Sequence, residues 1–392
     1  MAKPDVIVVG GGAIGVCCAY ELAKKGASVT LLERGPELAS GCSAGNAGLI
    51  CPSHSIPISN PRSLRVGIGS IFGQIRPRPW KRDSPFYLRP RAAVLPWLAR
   101  FALAARHAGQ GAAVIRELSN ASLDLHAKLG KELDTSFDRT GTLNVYATPA
   151  SLEAGAREGE HSGLRFDVLD AEETREFEPS LIGPAAGSVR YPDEARVDPK
   201  RFVEVVGAAA AAAGAEIRTN SEVHSLDELA AETVVVAAGV WSRTLVDLPL
   251  EGGKGYHVDY EPAAGDPALP TWLQETWTIA TPLPGRLRLS GTLELSGLDL
   301  GISQPRVDAI RRGGERWFRG LRERAPIDIW AGLRPCLPDG LPAIGRLGNV
   351  VVATGHAMKG VSLAPVTGRL VAQLVAGEQP DHDLAPLDPS RF

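Results

Sequence analysis

Residues 41–54, GCSAGNAGLICPSH, bring Cys42, Ser43, Cys51 and His54 close together in the chain, and three chemistries can be read into them. Gly41-Cys42-Ser43-Ala44-Gly45 fits the G-x-S-x-G pattern of a hydrolase nucleophile elbow, with Asp339 and His356 following in the matching chain order. Cys42, Cys51 and His54 offer three ligands to a metal ion. Alternatively, the small residues let the backbone lie against something flat or charged. Context decides against the first two. A nucleophile elbow needs an apolar strand directly before its serine and a helix directly after it. Here seven polar and small residues separate the preceding strand from Gly41, and Asn46-Ala47-Gly48 continues as loop. The metal reading has no second close pair of ligands, so no metal is expected. Ser43, Ala44, Asn46, Ala47, Gly48 and Leu49 are left as residues that position a ligand.

The elements upstream say what kind of ligand. Asp5–Val9 is a continuous apolar run, as expected of a parallel strand buried on both faces. It meets Gly10-Gly11-Gly12-Ala13-Ile14-Gly15, in which Gly10, Gly12 and Gly15 fit G-x-G-x-x-G. A helix follows from Ala13 to about Lys25, and a second strand over Ser28–Leu32 closes with Glu33. Gly10 permits the tight turn, Gly12 lets a pyrophosphate approach the backbone, and Gly15 lets helix and strand pack closely. The phosphates then sit on unpaired amides at the positive end of the helix. Glu33 falls where a carboxylate accepts hydrogen bonds from ribose hydroxyls. This unit binds a dinucleotide but does not separate NAD from FAD.

Later segments return to the same sheet and lean towards flavin. Asp198-Pro199 caps a helix running to about Ala213, followed by a short strand over Ala215–Arg218 and the start of another at Glu222-Val223-His224. Thr233–Ala238 is a second buried strand, ending at Gly239 before Val240-Trp241-Ser242. Asn349–Thr354 is a further strand, Gly355–Gly360 a loop around His356 and Lys359, and a helix runs from about Ser362 to Ala376. Against a flavin, that helix would aim its positive end at the N1–C2 carbonyl edge.

The chain of 392 residues is long enough for two cores, and 44% apolar residues with a net charge near −3 mark a soluble globular protein. The five cysteines are odd in number and form no C-x-x-C pair, which fits a reducing compartment. No secretory signal or transmembrane helix is read, so a cytoplasmic location is expected. Between Arg62 and Arg116 there are eleven basic residues and one acidic residue, Asp83, interleaved with Trp80, Phe86, Tyr87, Trp97 and Phe101. The first reading of that stretch is a solvated face with arginine stems packed on aromatics. The second is a surface drawn peripherally to anionic lipid, where a membrane electron acceptor is met. No nucleic-acid-binding motif accompanies it, and no oligomeric state is inferred.

VIVVGGGAIG with Glu33, SAGNAGLI, VVVAAGVWS, and GLRPCLPDGLPAIG followed by ATGHAMKG resemble, in this order, the FAD-dependent D-amino-acid oxidase superfamily. The loop SAGNAGLICPSHSIPISNP is most similar to the bacterial D-amino acid dehydrogenase branch, with glycine and sarcosine oxidases next. The resemblance implies an α/β fold, α+β overall. It has a Rossmann-like FAD-binding domain of glutathione-reductase type (1–60, 190–245 and 326–392) and an interleaved substrate domain on a mixed or antiparallel sheet (61–189 and 246–325). It implies that Arg34 and Val223 lie at the adenine end, that Ala238, Gly239 and Trp241 also belong to the cofactor site, that Ser43 to Leu49 pass along the isoalloxazine ring, and that Gly355, His356, Lys359 and Gly360 border its pyrimidine edge. The FAD is expected to be non-covalent, because the offset of Cys336 from Asp339 differs from that of a flavin-linking cysteine.

Arg334, in Gly-Leu-Arg-Pro, matches the family arginine that clamps the substrate carboxylate, and a guanidinium suits that task through two parallel hydrogen bonds. Thr278 stands where glycine oxidases join a tyrosine to the clamp. His54, Tyr256 and His257 are weaker candidates for the pocket. The implied reaction is oxidative deamination of a D-amino acid, with a hydride passing from Cα to flavin N5 and the electrons to a quinone or other carrier. The alternatives are an oxygen-using oxidase of glycine, sarcosine or cyclic imino acids, a flavin-carrying subunit that needs a partner chain, and an NAD-dependent dehydrogenase.

Overall fold

Short runs of buried β-branched residues build the first sheet. In the computed structural model, which describes residues 4–75 and 86–392, β1 (Val6–Val9) lies between β2 (Val29–Leu32) and β10 (Thr233–Val236), parallel to both. All four residues of β1 and of β10 are buried, as expected of strands covered on both faces. β9 (Glu216–Arg218) and β17 (Val350–Thr354) extend the sheet in parallel, and β16 (Ala343–Leu347) adds one antiparallel edge. The order is β16-β17-β10-β1-β2-β9. The helices α1 (Ala13–Lys24), α7 (Pro199–Ala212) and α9 (Ala364–Ala376) pack together, burying Val16, Leu22, Phe202, Val206 and Leu370 with Val8. Asp198 caps α7 by accepting from the Lys200 and Arg201 amides, and Gly377 ends α9 at φ +68°.

The second sheet is mixed and mostly antiparallel. It comprises β4 (Phe86–Leu88), β5 (Thr142–Tyr146), β6 (Asp167–Asp170), β7 (Gly187–Tyr191), β11 (Glu251–Tyr260), β12 (Thr271–Leu273), β13 (Thr278–Leu283), β14 (Arg286–Leu295) and β15 (Asp328–Cys336). Its order is β15-β11-β14-β13-β12-β5-β7-β6, with β4 added beside the end of β14. Alternation along the strands sorts the residues. Tyr256, Val258, Leu287 and Leu289 face α8 (Gln304–Trp317) and pack with Val307, Ile310 and Trp317. The opposite face looks towards the first domain. A two-stranded ribbon of β3 (Leu49–Ile50) and β8 (Ala195–Arg196) joins the halves. The helices α2 (Pro61–Ile75), α3 (Leu95–Ala104), α4 (Ala108–Leu133), α5 (Pro149–Ser162) and α6 (Ala171–Phe177) complete the fold.

The sequence boundaries shift in three places. β15 hydrogen-bonds to β11, so residues 328–336 belong to the second sheet although the boundary was expected at 326. β7 likewise begins the segment expected to be nucleotide-binding from 190. Conversely α4, expected in the substrate domain, buries Ile115, Leu118 and Leu129 in the first core against α9. The strand expected at Glu222-Val223-His224 is not formed, and these residues run as loop. Trp80 and five of the charged residues counted between Arg62 and Arg116 (Arg76, Arg78, Lys81, Arg82, Asp83) lie outside the described residues.

Candidate active site

A single cavity of about 1390 Å³ runs from the turn after β1 to the second sheet, larger than the roughly 300–1,000 Å³ usual for one small ligand. At its nucleotide end Gly10 has φ +114°, and a Cβ on Gly15 would overlap the Gly10 carbonyl oxygen, so only glycine lets α1 start so close to β1. Glu33 is buried at the end of β2. Its Oε2 accepts from the Gly11 amide at 2.6 Å and its Oε1 from the Gly35 amide at 2.7 Å. The carboxylate is thereby fixed at the cavity wall, beside the Gly-rich turn. Arg34 lies flat on the Trp241 ring with its guanidinium carbon 3.5 Å from the centroid, and both line the cavity with Val223, Ala238 and Gly239. The parts present fit the pyrophosphate, ribose and adenine of a dinucleotide.

The loop 43–49 follows. Ser43 Oγ accepts from the Ala13 amide at 3.0 Å, tying the loop to the first turn of α1. This is a positioning contact, and the elbow triad is absent, since Asp339 pairs with Arg391 and His356 with Thr367. Asn46 donates to the Met358 carbonyl at 3.2 Å and accepts from the Gly48 amide at 2.8 Å, which links this loop to 355–360. Arg288 holds the loop from the other domain: its Nη1 donates to the Ala44 and Asn46 carbonyls at 2.7 and 2.8 Å, while Nε and Nη2 clasp Asp259 at 2.9 and 2.8 Å. Both side chains of this ion pair are buried. Arg288→Met leaves Asp259 buried with only Arg286 and His257 near, so stability should fall by about 3 kcal/mol, the lower end of the range for a broken buried pair. Denaturant titration should show it, and adding Asp259→Leu should recover most of the loss.

At the far end Arg334, on β15, reaches across β11. Gly255 lies beneath its guanidinium, in space a Cβ would fill, and Nη1 donates to the Thr292 carbonyl at 2.9 Å. Thr292 has φ +57°, a strained conformation for a β-branched residue, at the bulge where β14 shifts register against β11. Among the described residues no carboxylate pairs with Arg334, and burial presses its pKa downwards. Lys359 also lines the cavity and donates to the Cys51 carbonyl at 2.9 Å.

The remaining candidates divide. His54 lines the cavity, stacked on Trp272 at 4.1 Å, and burial followed by the Lys359 charge lowers its pKa to about 3. Tyr256 borders the cavity, but its ring packs on the α8 side and its hydroxyl donates to Glu294 at 2.5 Å. Thr278 shares that side, its hydroxyl on the Thr276 carbonyl. His257 sits beneath the loop, 3.4 Å from the Gly45 carbonyl, stacked on Trp330. His356 lines the cavity with its ring buried against α9, Nε2 3.0 Å from Thr367 Oγ1, so it supports the wall. The metal grouping the described residues do contain, His257, Asp259 and Asp328, has its central carboxylate already taken by Arg286 and Arg288. Arg288 was missed in the sequence, although its place among alternating leucines in RLRL put it on the opposite face from Leu287 and Leu289.

Burial holds three histidines neutral: His54 and His356 fall to about 3 and His126 to about 4. The unfolded chain takes a proton on each near pH 6.5. The folded protein does not until pH 3–4, so acidification through that window favours unfolding. The melting temperature should therefore fall steadily below pH 6.5, and less steeply in His126→Gln.

The family model described as DAO, FAD-dependent oxidoreductase, matches residues 5–374. A D-amino-acid oxidase of Bradyrhizobium diazoefficiens is 30% identical, covering 99% of this chain and 98% of that protein. Among solved structures, the glycine oxidase of Geobacillus kaustophilus superposes with a TM-score of 0.79 at 24% identity over all of both chains. The L-proline dehydrogenase of P. horikoshii superposes with a TM-score of 0.78 at 20% identity, over 100% of this chain and 98% of that one.

Proposed function

This chain belongs to the DAO family of FAD-dependent oxidoreductases, which act on amino acids and amines, and from that membership we propose that it oxidatively deaminates a D-amino acid. The observation that carries the proposal is Arg334, a guanidinium at the cavity wall whose hydrogen bond to a carbonyl leaves its charge without a carboxylate. A substrate carboxylate is the natural partner for that charge. The D configuration follows the 30% identical relative, a D-amino-acid oxidase, since the fold alone is shared with an L-proline dehydrogenase.

When bound, FAD supplies the two-electron acceptor for the hydrogen on the substrate Cα. The chain does the rest. Arg334 fixes one end of the substrate, and Thr292 fixes Arg334. Arg288 and Asn46 hold the loop 43–49 against the ring's place, and Ser43 holds that loop to α1. Neutral His54 and the Trp272 ring add no negative charge to the pocket wall, and the Arg334 and Lys359 cations beside the cavity favour the amine as its free base. Positioning supplies much of the rate, and no strong side-chain base is required. The imino acid leaves and hydrolyses to a 2-oxo acid and ammonia.

We further propose that the electrons leave to a carrier at a membrane surface. Leu95 and Leu103 are 62% and 58% exposed on one stripe of α3, next to the exposed Arg100, and Ile68 is exposed on α2 about one turn after the exposed Arg65. No helix among the described residues is long and apolar enough to cross a bilayer. The test is anaerobic reduction of the flavin by D-amino acids, followed by air or a soluble quinone analogue. Reoxidation by the quinone much faster than by air supports the carrier. Rapid reoxidation by air with peroxide formation makes the protein an oxidase.

A further inference from the structure

The register of the second sheet sets Asn144, Trp272, Ile279 and Ser290 side by side, one per strand from β5 to β14, and all four line the cavity. Arg334 reaches Thr292 at the β14 end of this row. From β14 to β5 is three strand spacings, about 14 Å. Four buried polar atoms along the row have no partner among the described residues. Ser290 Oγ and Thr292 Oγ1 lie at the clamp end, and Trp272 Nε1 and Asn144 Oδ1 at the other. Asn144 and Ser290 are each only 5% exposed. An unpaired buried polar atom is costly, and these four belong to residues that line the cavity, where a ligand can satisfy them.

The clamp-end pair suits the carboxylate and amine of any amino acid. The far pair is more selective. Trp272 and Asn144 are direct cross-strand partners, and they present a lone donor next to a lone acceptor. A hydroxyl answers both, accepting from the indole N–H and donating to the amide oxygen. The wall between the two ends is flat and apolar, made by Ile279 and by the Trp272 ring stacked on His54 with 26° between planes. We infer that the substrate is an amino acid with a hydroxyphenyl side chain, whose hydroxyl is bound by Asn144 and Trp272. The carboxylate, ring and hydroxyl of such a molecule, with a hydrogen bond at each end, span a length of the order the row requires. The inference rests on the amino-acid reading for its clamp end.

Two measurements on the holoenzyme test it separately from that reading. In steady-state kinetics, tyrosine should exceed phenylalanine in kcat/KM by at least about tenfold, because a site built for a hydroxyl rejects the analogue without one. The ratio should collapse towards one in Asn144→Leu and in Trp272→Phe. Calorimetry with hydroxyphenylpropionate and phenylpropionate needs no turnover and should show the same preference and the same loss. Equal binding of the two acids by the wild type, or an unchanged ratio in both variants, overturns the inference. If no amino acid reduces the flavin while the calorimetric preference holds, amine oxidation falls and the hydroxyphenyl pocket stands.

Discussion

Replacing Arg334 by alanine is expected to lower kcat/KM for the amino-acid substrate by roughly 30- to 5,000-fold, the equivalent of about 2–5 kcal/mol. The size follows from the setting. The guanidinium is held over Gly255 by a carbonyl alone, so its removal leaves a carboxylate in a low-dielectric cavity with no fixed partner. Most of the loss should fall in KM, with FAD retained, because Arg334 stands on the second sheet and the nucleotide cradle on the first. Arg334→Lys should recover only part of the loss. A lysine keeps the charge, but it lacks the planar fork that spans the Thr292 carbonyl and two carboxylate oxygens. A wild-type-like KM in the alanine variant would remove the clamp from the account.

Gly15→Ala is expected to yield protein that purifies without colour, its FAD affinity reduced by about 100-fold or more. The added methyl would overlap a backbone carbonyl at Gly10, which cannot swing aside as a side chain can. Overpacking of that kind costs about 1–3 kcal/mol or more, and here it pushes α1 off β1 at the pyrophosphate site. Gly12→Ala gives an instructive contrast. Its methyl would stand 3.1 Å from Ser43 Oγ, so the apoprotein should keep its melting temperature while the space needed by the pyrophosphate is lost. Melting temperature and visible absorbance measured on both variants separate broken packing from a blocked ligand.

The nucleotide half of the molecule was legible because its chemistry is local. Gly10 to Gly15 and Glu33 lie within one strand-turn-helix-strand unit, where spacing in sequence is nearly spacing in space. The buried runs Val6–Val9 and Thr233–Val236 likewise declare parallel central strands. The substrate half was harder to read because its face is assembled from distant strands. Asn144 and Trp272 are partners only because β5 pairs with β12 in parallel, a register that no local pattern specifies. The orientation of the Tyr256 ring has the same origin. In KGYH, sequence alone does not tell which of two alternating residues looks at the cavity, and a bulge near Gly255 adds a shift that reverses simple counting. His356 is a different case, since the residue borders the cavity while its ring is tied to Thr367, a contact that only the packing of α9 creates. The placement of β15 in the second sheet follows from nine paired positions along β11, whereas its Gly- and Pro-bracketed sequence reads as a loop.

The central claim is that a carboxylate held at Arg334 presents an amine to the flavin. The most direct measurement is anaerobic titration of the holoenzyme with a D-amino acid and, separately, with the amine that its decarboxylation would give, following the visible flavin absorbance. The account predicts that the amino acid bleaches the flavin while the amine at equal concentration does not, and that Arg334→Ala erases most of the difference. Bleaching by the amine as readily as by the amino acid would contradict it.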